Sequence, residues 1–180
     1  MKKLIAIVGM TGSGKSIATD YLESEGWAKI YFGGITYERM REEGIEITLE
    51  SETIYRENLR KQYGMGAYAI LSLDKIKEAY KKGNTVLDGL YSWDELKILK
   101  DEFGDELKTI AIVADRNIRY DRLKVRKERS YTREQAEFRD FKEIENLAKG
   151  GPIAMADYYI DNNGDIEAYK KRLLEIIEKI

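Results

Sequence analysis

The sequence predicts an α/β fold, a five-stranded parallel sheet with helices on both faces. Three observations carry that expectation. Short apolar runs at residues 4–8, 27–32, 85–87, 109–114 and 158–160 have the length and β-branched content of buried strands. Helix-like stretches separate them, and strands alternating with helices pack as a parallel sheet covered on both sides. A glycine-rich segment, Gly9-Met10-Thr11-Gly12-Ser13-Gly14-Lys15-Ser16, joins the first strand to the first helix.

The first run, Leu4-Ile5-Ala6-Ile7-Val8, is continuously apolar, as a strand buried on both faces requires. In residues 16–25, Ile17, Ala18, Tyr21 and Leu22 recur at helical spacing. The segment between them fits G-x-x-x-x-G-K-[ST] at every fixed position, in the strand–loop–helix context that gives this pattern its mechanism. Backbone N–H groups of Gly12 to Lys15 curl around a β-phosphate in such a loop, and the helix N-terminus adds its positive dipole. Lys15 reaches the β/γ oxygens and the Ser16 hydroxyl holds Mg²⁺. The expected cofactors are therefore ATP and Mg²⁺. The nucleotide-binding residues are Gly9, Thr11, Gly12, Ser13, Gly14, Lys15, Ser16 and Ile17, within a P-loop NTPase fold.

After the second strand, residues 33–83 form an insertion with helices over 49–63 and 67–81, the latter closed by Gly83-Asn84. The insertion is not needed for the sheet itself and reads as the acceptor-binding region. Residues 42–57 are acidic and short of large apolar side chains, so this stretch is expected to be exposed or mobile. Arg39, Arg41, Arg56 and Arg60 are suited to gripping an acceptor phosphate. Tyr63-Gly64-Met65-Gly66-Ala67-Tyr68 offers aromatic stacking and close backbone approach. The third strand runs into Asp88-Gly89. A carboxylate at that strand end, beside the phosphate loop, is where a magnesium-directing aspartate belongs, and Gly89 lets backbone approach a substrate.

Residues 92–102 open with a capping box, Ser92 and Glu95, and a second box, Thr132 and Gln135, opens a helix over 132–149. Between the fourth strand and that box, residues 116–129 read as one helix, and a last helix covers 165–180. Arg119, Arg122, Arg126 and Arg129 step by three or four, crowding one helical face, with Arg116 and Arg133 flanking them. Like charges at that spacing repel unless an anion is present; Asp115, Asp121 and Glu128 could supply one. The functional reading is an arginine-rich lid, residues 116–149, closing over a transferring phosphoryl group. The core is then residues 1–32, 84–115 and 150–180 of a single domain.

Composition narrows the class. Hydrophobic residues are 43% and charged residues 36%, with net charge −2, so no basic field favours nucleic acid. No apolar run approaches the ~20 residues that cross a bilayer, and the apolar run behind Met1 is too short for a secretion signal. Cysteine and histidine are absent, which removes disulfides, thiolates, the commonest zinc ligand and the commonest general base. The expectation is a cytoplasmic Mg²⁺-using enzyme, monomeric or homodimeric, acting on a small molecule. The single proline and the Lys/Glu/Arg load lean towards a heat-adapted source.

Asp121-Arg122-Leu123-Lys124-Val125-Arg126 resembles the D-R-x-x-x-R stretch that starts the lid of adenylate kinases, and Asp88-Gly89 resembles their third-strand Asp-Gly. Ala156-Asp157-Tyr158-Tyr159-Ile160-Asp161-Asn162-Asn163-Gly164 is similar to the A-D-x-x-I-x-N-x-G stretch of dephospho-coenzyme A kinases and of an archaeal group related to adenylate kinase. The resemblance implies a nucleoside monophosphate kinase-like P-loop fold with an acceptor-binding helical region and a lid. It implies Arg122 against the donor adenine, Arg126 on phosphates, and Asn162, Asn163 and Gly164 near the base. The acidic residue that follows the second strand in dephospho-coenzyme A kinases is replaced by Tyr31-Phe32-Gly33-Gly34. The Phe-Pro-Arg that follows Asp-Gly in adenylate kinases is replaced by Leu90-Tyr91-Ser92.

The expected activity is transfer of the γ-phosphoryl of ATP to a nucleotide-like acceptor. Lys15, Asp88, Arg122 and Arg126 would be catalytic, and Arg39, Arg41, Arg60, Gly89 and Tyr91 would contact the acceptor. Two alternatives stay open: a dephospho-coenzyme A kinase-like activity, and a nucleotide-binding switch or slow NTPase using residues 42–57 as its responsive segment.

Overall fold

The structure, a computed structural model, describes residues 1–127 and 129–180. Its sheet has five parallel strands in the order β2-β3-β1-β4-β5. These are β1 (Leu4–Val8), β2 (Ala28–Tyr31), β3 (Thr85–Asp88), β4 (Leu107–Val113) and β5 (Tyr158–Asp161). Helices α1 (Lys15–Ser24), α2 (Gly34–Glu42), α3 (Leu49–Tyr63), α4 (Ala67–Lys82) and α5 (Trp93–Phe103) alternate with the first strands. Then come α6 (Arg116–Lys124), α7 (Arg133–Leu147), α8 (Gly150–Ala154) and α9 (Ile166–Ile177). The α/β reading and the five-stranded parallel sheet hold.

The pleat of β1 divides the core. Leu4, Ala6 and Val8 face one side, packed with Leu87, Leu107 and Ala111 and with residues of α2 to α5. Ile5 and Ile7 face the other, packed with Val86, Ile110, Ile112 and Ile160 under α1 and α9. Ala67, Ala69 and Ile76 of α4 belong to the first of these clusters. Thus α4 is the crossover helix from β2 to β3 and covers the sheet, while α2 and α3 form the outer part of the 33–83 segment. A small third cluster, Tyr120, Leu123 and Ala136 with Tyr131 against it, pins α6 to α7.

Two local expectations are amended. The acidic stretch 42–57 is exposed at most positions, as expected, but from Thr48 the chain caps α3, and Glu52 is buried against Tyr37, Arg56 and Arg129. The helix expected over 116–129 stops at Lys124, so Arg126 and Arg129 lie in a connection rather than on a helix face. Tyr131 N–H donates to the Leu123 carbonyl at 3.2 Å and closes that end. Four like charges on one face repel, and a loop disperses them. Glu128 lies outside the described residues. Among those residues no helix is long and apolar enough to cross a membrane.

Candidate active site

The phosphate loop leaves the carboxyl end of β1, the edge where parallel α/β sheets bind ligands. Gly12 has φ 84°, and a Cβ there would stand 2.9 Å from the Arg119 carbonyl oxygen. Gly14, at φ 97°, is the N-cap of α1 and supplies no side-chain cap. Ile17 N–H donates to the Gly14 carbonyl at 3.1 Å, while the Lys15 and Ser16 amides before it have no acceptor within their own helix. Side chains elsewhere hold the loop's carbonyls: Arg119 on Thr11 at 2.8 Å, Asn162 on Ser13 at 2.8 Å and the Tyr169 hydroxyl on Gly14 at 3.1 Å. Among the described residues the buried Ser13 Oγ has no hydrogen-bond partner. A cradle with uncapped amides and an orphaned hydroxyl fits a bound phosphate.

Lys15 folds back, its Nζ donating to the Met10 carbonyl at 2.9 Å. Burial, then the nearby Lys149, push its pKa down to about 7. Asp88 closes β3, in register with Ile7 of β1 and Tyr31 of β2. Thr19 Oγ1 donates to its Oδ2 at 3.3 Å, and Lys29 Nζ stands 4.0 Å away. Burial raises the Asp88 pKa against the opposing pull of Lys29 and Lys15. Among the described residues no three acidic, histidine or cysteine side chains cluster as a metal cage. One hydroxyl, Ser16, and one carboxylate, Asp88, instead suit Mg²⁺, which keeps several of its own waters.

Lys15, Ser16 and Asp88 share one cleft of about 320 Å³ with three arginines and three tyrosines. The arginines are Arg126, Arg129 and Arg139; the tyrosines are Tyr31, Tyr91 and Tyr131. Burial is the main reason the Tyr91 hydroxyl has its pKa raised. A wider recess of about 450 Å³ lies beside Lys75, Glu78 and Asn84, at the opposite end of β2, and holds none of these groups.

The remaining expected residues fall in several places. Arg122 Nη2 donates to the Asn162 carbonyl at 2.8 Å, while its buried Nη1 has no partner among the described residues. Asn163 Oδ1 accepts from Asp115 N–H at 2.8 Å, which ties β4's exit to β5's, and Gly164 is exposed. Gly89, at φ 93°, lies against Phe32 and Tyr31 at the cleft edge. Arg39, Arg41 and Arg60 do not line the cleft. Arg39 sits over the Tyr63 ring at 5.9 Å, Arg60 over Tyr68 at 5.3 Å, and Arg41 is exposed. Arg119, expected on the lid face, is buried in an ion pair with Asp140.

Sequence reasoning missed a buried cluster behind the cleft. Glu143 accepts from Thr11 Oγ1 at 2.8 Å, Arg139 Nε at 3.0 Å and Lys149 Nζ at 2.6 Å. Burial opposes its charge, but Lys149, Thr11 and Arg139 outweigh it and hold the carboxyl near 2. Lys149 lies over the Tyr91 ring at 4.4 Å, so the cluster touches the phosphate loop, α7 and the Tyr91 wall of the cleft together. The available signal was spacing: Ala136, Asp140, Glu143 and Leu147 share a helical face, which puts two acids where apolar residues usually pack.

A family model described as AAA domain matches residues 5–146. A UPF0200 protein of Thermococcus onnurineus is 34% identical, over 98% of this chain and 97% of its own length. Among solved structures, shikimate kinase from Bacteroides thetaiotaomicron superposes with a TM-score of 0.63 at 16% identity, covering 99% of each chain. A gluconokinase from Sinorhizobium meliloti superposes with a TM-score of 0.61 at 13% identity, covering 99% of this chain and 93% of the other. At those identities the likeness is one of fold. A phosphate loop at the carboxyl edge of a parallel sheet, an AAA-domain match over most of the length and end-to-end similarity to its relatives together mean that this chain belongs to the UPF0200 family of AAA-domain P-loop proteins.

Proposed function

We propose that the protein is an ATP- and Mg²⁺-dependent phosphotransferase that moves the γ-phosphoryl group to a small, nucleotide-like acceptor. One observation carries this reading: three arginines and three tyrosines complete, with the phosphate loop and Asp88, a single cleft. A nucleotide switch needs a phosphate loop and a metal carboxylate; it does not need a second cationic, aromatic half. Lys15 and the uncapped amides of α1 hold the donor phosphates, and Ser16 with Asp88 holds Mg²⁺, which when bound neutralises charge between the phosphates. Arg126 and Arg129 face the same space from the connection after α6, and Arg139 faces it from α7. They suit the charge that spreads over the equatorial oxygens during transfer. Tyr31 and Tyr91 offer flat faces to a base or ring of the acceptor.

The dephospho-coenzyme A kinase-like alternative is favoured by Asp88 alone. Its carboxyl, raised by burial, is suited to taking a proton from an acceptor hydroxyl. An acceptor screen separates these readings. Purified protein with ATP and Mg²⁺ is offered nucleoside monophosphates, nucleosides and dephospho-coenzyme A, and ADP formation is followed. A phosphotransferase accelerates at least about tenfold with its acceptor class. A switch releases ADP at one slow rate throughout, which would remove the acceptor half of this proposal.

A further inference from the structure

Thr11 stands at a position of the phosphate loop where the pattern fixes no residue, yet it is held at both ends. Its carbonyl accepts from Arg119 Nη1 at 2.8 Å. Its hydroxyl lies 2.8 and 3.0 Å from the two oxygens of Glu143, which is 8% exposed. Glu143 Oε1 also takes Arg139 Nε at 3.0 Å, and the Arg139 guanidinium, steadied by the Tyr131 hydroxyl, lines the cleft with Lys15. A three-residue path therefore runs from the loop, through one buried carboxylate, to a guanidinium facing the reacting groups.

We propose that Thr11 is a positioning residue: its hydroxyl fixes the Glu143 carboxylate, and that carboxylate aims Arg139 into the cleft. A long arginine side chain otherwise loses much rotamer freedom for each contact it makes. A donor already oriented before charge develops is worth more to a transition state than one that must be found. Lys149, 2.6 Å from the other oxygen, keeps Glu143 ionised in its buried place, so the carboxylate stays an acceptor for both Thr11 and Arg139. The effect on rate rests on the phosphotransferase reading; the orientation of Arg139 does not.

Thr11→Val keeps shape and deletes the hydroxyl. Single-turnover transfer is expected to fall about tenfold while ATP·Mg²⁺ affinity, by calorimetry, stays within about threefold. Thr11→Ser restores the rate that Thr11→Val loses. In an Arg139→Ala background, Thr11→Val adds less than about twofold, because its effect runs through that arginine. A full tenfold loss in that background, a loss of affinity in place of rate, or no loss at all overturns the proposal. Independently of activity, the Arg139 Nε–H signal in the NMR spectrum of arginine-labelled protein is expected to be protected from exchange in the parent. It should be lost in Thr11→Val and in Glu143→Gln, the second variant serving if the first does not fold. A parent that transfers no phosphoryl but shows this dependence refutes the activity alone; an active parent whose Arg139 signal ignores both variants refutes the positioning role alone.

Discussion

Arg119 of α6 and Asp140 of α7 form a buried two-point ion pair, Nη1 to Oδ1 at 3.1 Å and Nη2 to Oδ2 at 2.6 Å. The same guanidinium reaches the Thr11 carbonyl, so an arginine that the sequence placed on a moving lid is a buried clamp joining α6 and α7 to the phosphate loop. Arg119→Ala leaves the buried Asp140 carboxylate with no cation and only the Tyr120 hydroxyl at 3.1 Å, and is expected to destabilise the protein by about 3–5 kcal/mol. Denaturant unfolding checks it, and removing Asp140 in the same chain should recover part of that loss. A change near zero would make the pair a surface contact.

Lys15→Met should weaken ATP·Mg²⁺ binding by at least about tenfold, ~1.4 kcal/mol, through loss of a charge-assisted contact to the phosphates. Calorimetry reads this directly.

The same substitution is expected to raise the melting temperature of the nucleotide-free protein. The fold holds the Lys15 ammonium at about 7 against an ordinary 10.5, so folding opposes the charged form. Below about pH 7 both states carry the proton and the penalty is complete; as pH rises towards 10.5 only the unfolded chain keeps it, and the penalty shrinks. The gain over the parent should be largest near pH 6 and narrow towards pH 9 in melts across that range. A Met variant that melts lower throughout contradicts a net cost of burying that charge.

Asp88→Asn keeps size and the Thr19 contact but deletes the charge beside the metal position. Mg²⁺-dependent transfer should drop ~10²-fold or more, with binding of metal-free nucleotide little changed. Full activity at limiting Mg²⁺ would reduce Asp88 to the end of a strand.

Arg126→Ala and Arg122→Ala should differ in kind. Arg126 lines the cleft from a loop, and its loss should cost ~10²- to 10³-fold in single-turnover transfer with ATP affinity nearly intact. Arg122 has one nitrogen on Asn162 and another with no partner among the described residues, so its loss should weaken donor binding itself. Equal, small effects in both would return these arginines to the surface.

The strands were legible because each is a short apolar run, and the observed limits lie within two residues of those expected. Both capping boxes, Ser92 with Glu95 and Thr132 with Gln135, form as the spacing requires. The phosphate loop was legible because its chemistry is local. What escaped is what depends on distant parts of the chain: Thr11 and Glu143 meet across 132 positions. In α7 the apolar spacing of Phe138, Phe141 and Ile144 marks the wrong face, since all three are exposed while Asp140 and Glu143 point inward. That helix turns acids to the core because Arg119, Lys149 and Thr11 are there to receive them. Helix α6 ended early for a similar reason: Arg119 finds its buried acid in Asp140 of α7, whereas Arg129 reaches the buried Glu52 of α3 from the connection that follows the helix.

The most direct measurement follows the label from [γ-³²P]ATP in a single turnover with Mg²⁺ and the acceptor panel. Phosphoryl transfer predicts that the label appears in a phosphorylated acceptor, with little in inorganic phosphate, and that Asp88→Asn and Arg126→Ala abolish this product. Label released only as inorganic phosphate, at one rate whatever acceptor is present and equally in Arg126→Ala, would contradict it.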